Sequence, residues 1–134
     1  MTNNFHHIAI VVKDLEGKIP FFCNVYNADL LGPIFFDKNQ LVKVQFIQSS
    51  NIKIELLEPM NNKSPILKFL NDHGSGSFYH IAYEVDDLNL IEKEVIQKKG
   101  KIVSRSTNAW HGMEVMFAVF IKQDEYQLVE YVKI

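Results

Sequence analysis

Nine residues near the start of the chain return near its middle. His7-Ile8-Ala9-Ile10-Val11-Val12-Lys13-Asp14-Leu15 and His80-Ile81-Ala82-Tyr83-Glu84-Val85-Asp86-Asp87-Leu88 agree at six of nine positions, 73 residues apart. A second pair of segments, Ile52-Lys53-Ile54-Glu55-Leu56 and Gln127-Leu128-Val129-Glu130-Tyr131, repeats an alternating apolar pattern around a central Glu, 75 residues apart. A repeat of this length constrains the fold more than any single motif, because each copy must build the same supersecondary unit. Each half carries one His and one Glu on a predicted strand. Two imidazoles and two carboxylates related by a pseudo-twofold would make a divalent metal site.

The order of elements follows from periodicity. Residues 5–12 place His7, Ala9 and Val11 on one strand face and Ile8, Ile10 and Val12 on the other. Asp14 is placed to cap a helix reaching about Asn27, with Pro20 expected in the first turn and Phe21, Phe22 and Val25 on the buried side. Gly32-Pro33 is expected to stop that helix, and strands follow at 34–37, 41–48 and 52–58. Ser64-Pro65 opens a short helix through Leu67, Phe69 and Leu70, and Gly74-Ser75-Gly76-Ser77 reads as a flexible joint. The order then repeats. A strand at 79–85 leads to Asp87 as N-cap and a helix burying Leu88, Ile91 and Val95. Gly100 is expected to take a left-handed cap, before strands near 101–105, 113–121 and 126–132. Residues 107–112, with Trp110 and His111, read as an irregular loop that could close over a ligand. Each half is thus a β-α-β-β-β module, module one about 5–59 and module two about 78–134, joined by a linker helix within about 60–77.

Composition excludes several function classes. Apolar residues make up 47% of 134, ample for a packed core, yet no run approaches the roughly 18 apolar residues of a membrane span. A formal net charge of −2 without a Lys/Arg block argues against nucleic acid. One cysteine, Cys23, cannot form an internal disulfide, so a cytoplasmic, reducing compartment is expected. Cys23 itself reads as a small buried hydrophobe rather than a nucleophile.

A single strand His or Glu is more often structural than ligating, and a strand Glu can simply face water. The occurrence of two equivalent His/Glu pairs shifts the balance, since burying a lone carboxylate on a core strand is costly unless it is paired or metal-bound. The set His7, Glu55, His80 and Glu130 suits one Ni²⁺, Co²⁺, Zn²⁺, Mn²⁺ or Fe²⁺ ion.

This duplicated module, with His and Glu in these places, resembles the vicinal oxygen chelate (glyoxalase/bleomycin resistance/dioxygenase) superfamily across essentially the whole chain. Within it, Ile54-Glu55-Leu56-Leu57-Glu58-Pro59, Ser64-Pro65-Ile66-Leu67-Lys68-Phe69-Leu70, and Tyr79-His80-Ile81-Ala82-Tyr83-Glu84-Val85-Asp86-Asp87 are similar to methylmalonyl-CoA epimerases, as is His111-Gly112. The resemblance implies an α+β fold, two tandem modules forming a curved mixed sheet around a metal-binding cleft, and a homodimer. It places the metal ligands on His7 rather than His6, and on Glu55, His80 and Glu130. It implies a metal-dependent isomerase or epimerase acting through an enolate on a methylmalonyl-CoA-like acyl thioester, with Glu130 as the leading base. The bacterial epimerase pattern has a further Glu where this chain has Val42-Lys43-Val44-Gln45-Phe46, so Glu55 would serve as the second base by symmetry. A glyoxalase I-like lyase is the nearest alternative, and a non-catalytic small-molecule binding module, as in resistance proteins, is the alternative from another class. Glu84 is expected on His80's strand face without ligating, and His73 and His111 in loops away from the metal.

Overall fold

The structure is a computed structural model describing residues 4–107 and 112–134, so Trp110 and His111 lie outside the described residues. Its elements are β1 (Asn4–Val11), α1 (Leu15–Tyr26), β2 (Asp29–Asp37), β3 (Val42–Ser49), β4 (Ile52–Pro59), α2 (Leu67–His73), β5 (Ser77–Val85), α3 (Leu88–Gln97), β6 (Lys101–Ser106), β7 (Val115–Lys122) and β8 (Glu125–Lys133). This is the β-α-β-β-β order twice. The chain forms two compact units, residues 7–79 and residues 80–134 with the first residues of β1. The strands hydrogen-bond in the order β2-β3-β4-β1-β5-β8-β7-β6, an eight-stranded mixed sheet, with β1 contributing to both units.

In the first unit β1 runs parallel to β4, while β2, β3 and β4 are antiparallel neighbours. Asp14 caps α1 by accepting from Gly17 N, and Glu58 of β4 accepts from Leu15 N at 2.7 Å, so two orphan donors of the helix start are satisfied. The helix buries Leu15 and Phe22, with Ile19 and Cys23, against Ile10, Val12, Ile47, Ile54 and Leu56. Burying Leu15 and Leu56 completely contributes roughly 1.5–3 kcal/mol each.

Several expectations for this unit need correction. Phe21 and Val25 are exposed, because the buried stripe runs Leu15, Ile19, Phe22 and not through every apolar residue of the helix. Pro20 is the sixth residue of α1, beyond the first turn, and the helix carries it inside. Asn27, in the left-handed region at φ 51°, ends the helix instead of Gly32-Pro33. Those two residues lie within β2, at the irregularity between Leu31 and Phe35, where Gly32 supplies φ 77° and its carbonyl accepts from Gln45 Nε2. α2 starts at Leu67 without a side-chain cap, rather than at Ser64-Pro65. The Gly74–Ser77 joint is pinned rather than loose: Gly76 N donates to Val11 O, Lys13 N donates to Ser75 Oγ, and Ser77 belongs to β5.

The second unit repeats the plan, with β5 parallel to β8 and antiparallel pairing among β8, β7 and β6. Asp87 caps α3 by accepting from Asn89 N and Leu90 N. Leu88, Ile91 and Val95 pack on Val85, Met116, Ala118 and Tyr131. The left-handed residue after α3 is Lys99, at φ 65°, not Gly100. Gly100 has a different reason to be glycine: a Cβ there would meet Phe120 Cε1 at 2.6 Å and Val95 Cγ1 at 2.9 Å.

Candidate metal centre

Alternation and register together aim the polar side chains. In β1, Ile8 and Ile10 pack with the α1 cluster, so His7 and Ala9 take the opposite face of the sheet. In β4, Ile54 and Leu56 join that cluster, and Glu55 between them faces the same way as His7. The parallel register sets Ala9 beside Glu55, where its methyl group leaves room for the carboxylate. His7 Nε2 then lies 3.3 Å from Glu55 Oε1, both side chains buried.

The second unit builds its pair in the same way. Val129 and Tyr131 pack on the α3 side, leaving Glu130 on the other face. Ala82 stands beside Glu130 in the parallel β5–β8 register, as Ala9 stands beside Glu55. His80 Nε2 is 3.2 Å from Glu130 Oε1, and both residues are buried. Four buried polar groups of this kind are costly in an apolar interior unless each is paired or bound to an ion. Together His7, Glu55, His80 and Glu130 make a buried His/Glu cluster that could hold a metal ion. Two imidazoles and two carboxylates fit a borderline divalent cation, and no thiolate competes for a softer one.

Two partners of these groups escaped the sequence reading. Phe46 of β3 stands directly across from Glu55, and its ring meets His7 edge-on, centroids 5.3 Å apart at 87°. Phe117 of β7 stands directly across from Glu130 and meets His80 at 5.1 Å and 83°. Each ring restricts the imidazole plane and keeps water from one side of the pair. The signal was present in the hairpins. Two-residue turns, Ser50-Asn51 and Gln123-Asp124, fix the cross-strand partner of each Glu by simple counting.

The other candidates fall away from the cluster. His6 is buried, next in sequence to His7 and so on the opposite strand face. His73 closes α2 with its ring 4.3 Å from that of Phe69. Glu84, two residues beyond Ala82, is half-buried and outside the His/Glu cluster. Cys23 packs at the edge of the α1 core, and burial raises its thiol pKa, with Asp29 adding to the effect, so it is a poor thiolate.

Known proteins resemble this chain over most of its length. The chain is 34% identical over 113 residues to the mitochondrial methylmalonyl-CoA epimerase of Bos taurus, covering 84% of this chain and 64% of that protein. It thus spans somewhat under two thirds of the bovine protein's length. It is 35% identical over 120 residues to an ethylmalonyl-CoA/methylmalonyl-CoA epimerase of Cereibacter sphaeroides, covering 87% of this chain and 88% of that one. A crystal structure of a hypothetical protein from Bacillus halodurans C-125 superposes with a TM-score of 0.86 at 29% identity, covering 100% of this chain and 96% of its own. The family model of the glyoxalase/bleomycin resistance protein/dioxygenase superfamily matches residues 6–117, and the chain belongs to that superfamily.

Proposed function

We propose that this chain is a divalent-metal-dependent epimerase acting on a methylmalonyl-CoA-like acyl thioester. The observation that carries the reading is the His–Glu pair built twice, in the equivalent register and each against its own phenyl ring, in a chain whose relatives are named as such epimerases. His7, Glu55, His80 and Glu130 would hold one ion between them. A divalent ion there supplies positive charge against the negative charge that grows on the thioester oxygen when the α-proton leaves.

The chain's own groups do the rest. Glu130 takes the α-proton on a carboxylate oxygen. Glu55, which enters the step as the protonated acid, gives its own proton to the opposite face of the same carbon, so the configuration inverts and the two glutamates exchange protonation states. Val42-Lys43-Val44-Gln45-Phe46, where the bacterial pattern has its further Glu, holds no carboxylate, which leaves Glu55 as the available second carboxylate. Phe46 and Phe117 pack edge-on against His7 and His80 and hold the imidazole of each pair in place. A homodimer and a cytoplasmic location belong to the same proposal, supported by exposed apolar side chains such as Phe21, Val25 and Leu30 and by the lone cysteine.

Incubating the metal-loaded protein with methylmalonyl-CoA in deuterated water tests this reading. Deuterium should enter at the α-carbon, and Glu130→Gln should slow that exchange by at least about a hundredfold. Exchange at the uncatalysed rate would refute it. A glutathione hemithioacetal in the same assay checks the glyoxalase I-like alternative.

A further inference from the structure

The two modules present the same histidine, glutamate, alanine and phenylalanine, so their differences are informative. On β4, Lys53 lies two residues before Glu55 and shares its face, while Ile54 between them packs into the α1 core. In the antiparallel register Lys53 stands across from Gln48, one step along from the Glu55–Phe46 pair. Lys53 is half-buried, and among the described residues no carboxylate pairs with its ammonium group. Lys43, on the neighbouring strand and the opposite face, is held by Glu16 and Glu58. The corresponding residue of the second module is Leu128, two before Glu130, buried and across from the buried Val119. One module therefore offers a cation beside its Glu, and the other offers two aliphatic side chains.

Resting on the epimerase reading above, we propose that Lys53 is a specificity-determining residue that binds the carboxylate of a 2-alkylmalonyl thioester. Such a substrate carries two unlike groups on its reacting carbon, a carboxylate and an alkyl group. Lys53 and Leu128 hold equivalent positions in the two modules and differ in charge, so a carboxylate is drawn to the module that carries Lys53. The flexible four-carbon stem lets the ammonium follow the carboxylate as the α-carbon inverts, while Gln48 Nε2 donates to Ser50 O at 2.8 Å, which leaves the charge of Lys53 as the group that holds the anion.

Three probes separate the carboxylate from the phosphates of coenzyme A: methylmalonyl-CoA, methylmalonyl-pantetheine, which has no phosphate, and free malonate titrated into metal-loaded protein. Lys53→Met should raise KM about tenfold or more for both thioesters, with a smaller change in kcat, and weaken malonate by a similar factor. Lys53→Arg should restore most of the loss, and Lys38→Met, a distant charge control, should change nothing. Unchanged KM values in Lys53→Met, or a loss seen with the CoA thioester alone, would overturn the proposal. If the wild type exchanges no α-proton on either thioester, the epimerase reading fails by itself. The malonate titration still decides the role of Lys53: weaker binding by Lys53→Met supports it, and equal binding by both proteins overturns it.

Discussion

Loading the centre with metal should raise the melting temperature by an amount that can be worked out in advance. A ligand that binds only the folded chain stabilises it by about 2.7 kcal/mol at a hundred times its dissociation constant. For 134 residues, an unfolding entropy of roughly 2.1 cal/mol/K per residue gives about 0.28 kcal/mol/K, so Tm should rise by about 10 °C. Glu130→Gln replaces an anionic donor 3.2 Å from His80 Nε2 with a neutral amide. If that weakens the ion about a hundredfold, the same metal concentration leaves about 0.4 kcal/mol, or a shift near 1.5 °C. Differential scanning calorimetry of chelator-treated protein with and without Ni²⁺, Co²⁺ or Zn²⁺ reads both numbers. Mg²⁺, which prefers all-oxygen sites, should do little. The reasoning is refuted if the wild type shows no shift with any of these ions, or if Glu130→Gln shifts as far as the wild type.

Other consequences concern the scaffold. Burial, with Glu94 and then Tyr83 adding to it, pushes the Tyr131 hydroxyl up to about 12 from a usual value of 10.0. Between those values the unfolded chain has released the proton while the folded chain keeps it, so stability should fall by about 1.4 kcal/mol per pH unit from pH 10 to 12. Urea titrations across that range should show a shallower decline in Tyr131→Phe. Gly100→Ala should cost about 1–3 kcal/mol, because its methyl group meets Phe120 at 2.6 Å, and a lowered urea midpoint without a changed slope would show it. Glu58→Ala removes the acceptor of Leu15 N and a partner of Lys43, and should cost about 1–2 kcal/mol by the same measurement.

What the sequence reveals and hides follows from where the information resides. His7, Glu55, His80 and Glu130 were legible because a repeat marks equivalent positions and period-2 alternation assigns them a face. The capping aspartates Asp14 and Asp87 were legible because the cap is a local hydrogen bond. The buried side of α1 was misjudged by residue type; phasing from Leu15 through Ile19 and Phe22 gives the stripe that packs. Lys99 and Gly100 exchange their expected roles because a close approach by Phe120, a residue 20 positions away, cannot be seen locally. Phe46 and Phe117 were hidden for a similar reason, since an aromatic on a core strand looks the same whether it fills space or braces an imidazole.

The central claim is that two His–Glu pairs serve one ion. Elemental analysis of untagged protein, with His7→Ala and Glu130→Ala variants beside it, tests that claim most directly. About one divalent ion per chain, lost or much reduced in both variants, is the expected result. Two ions per chain, or one ion that survives either substitution unchanged, would contradict a shared centre.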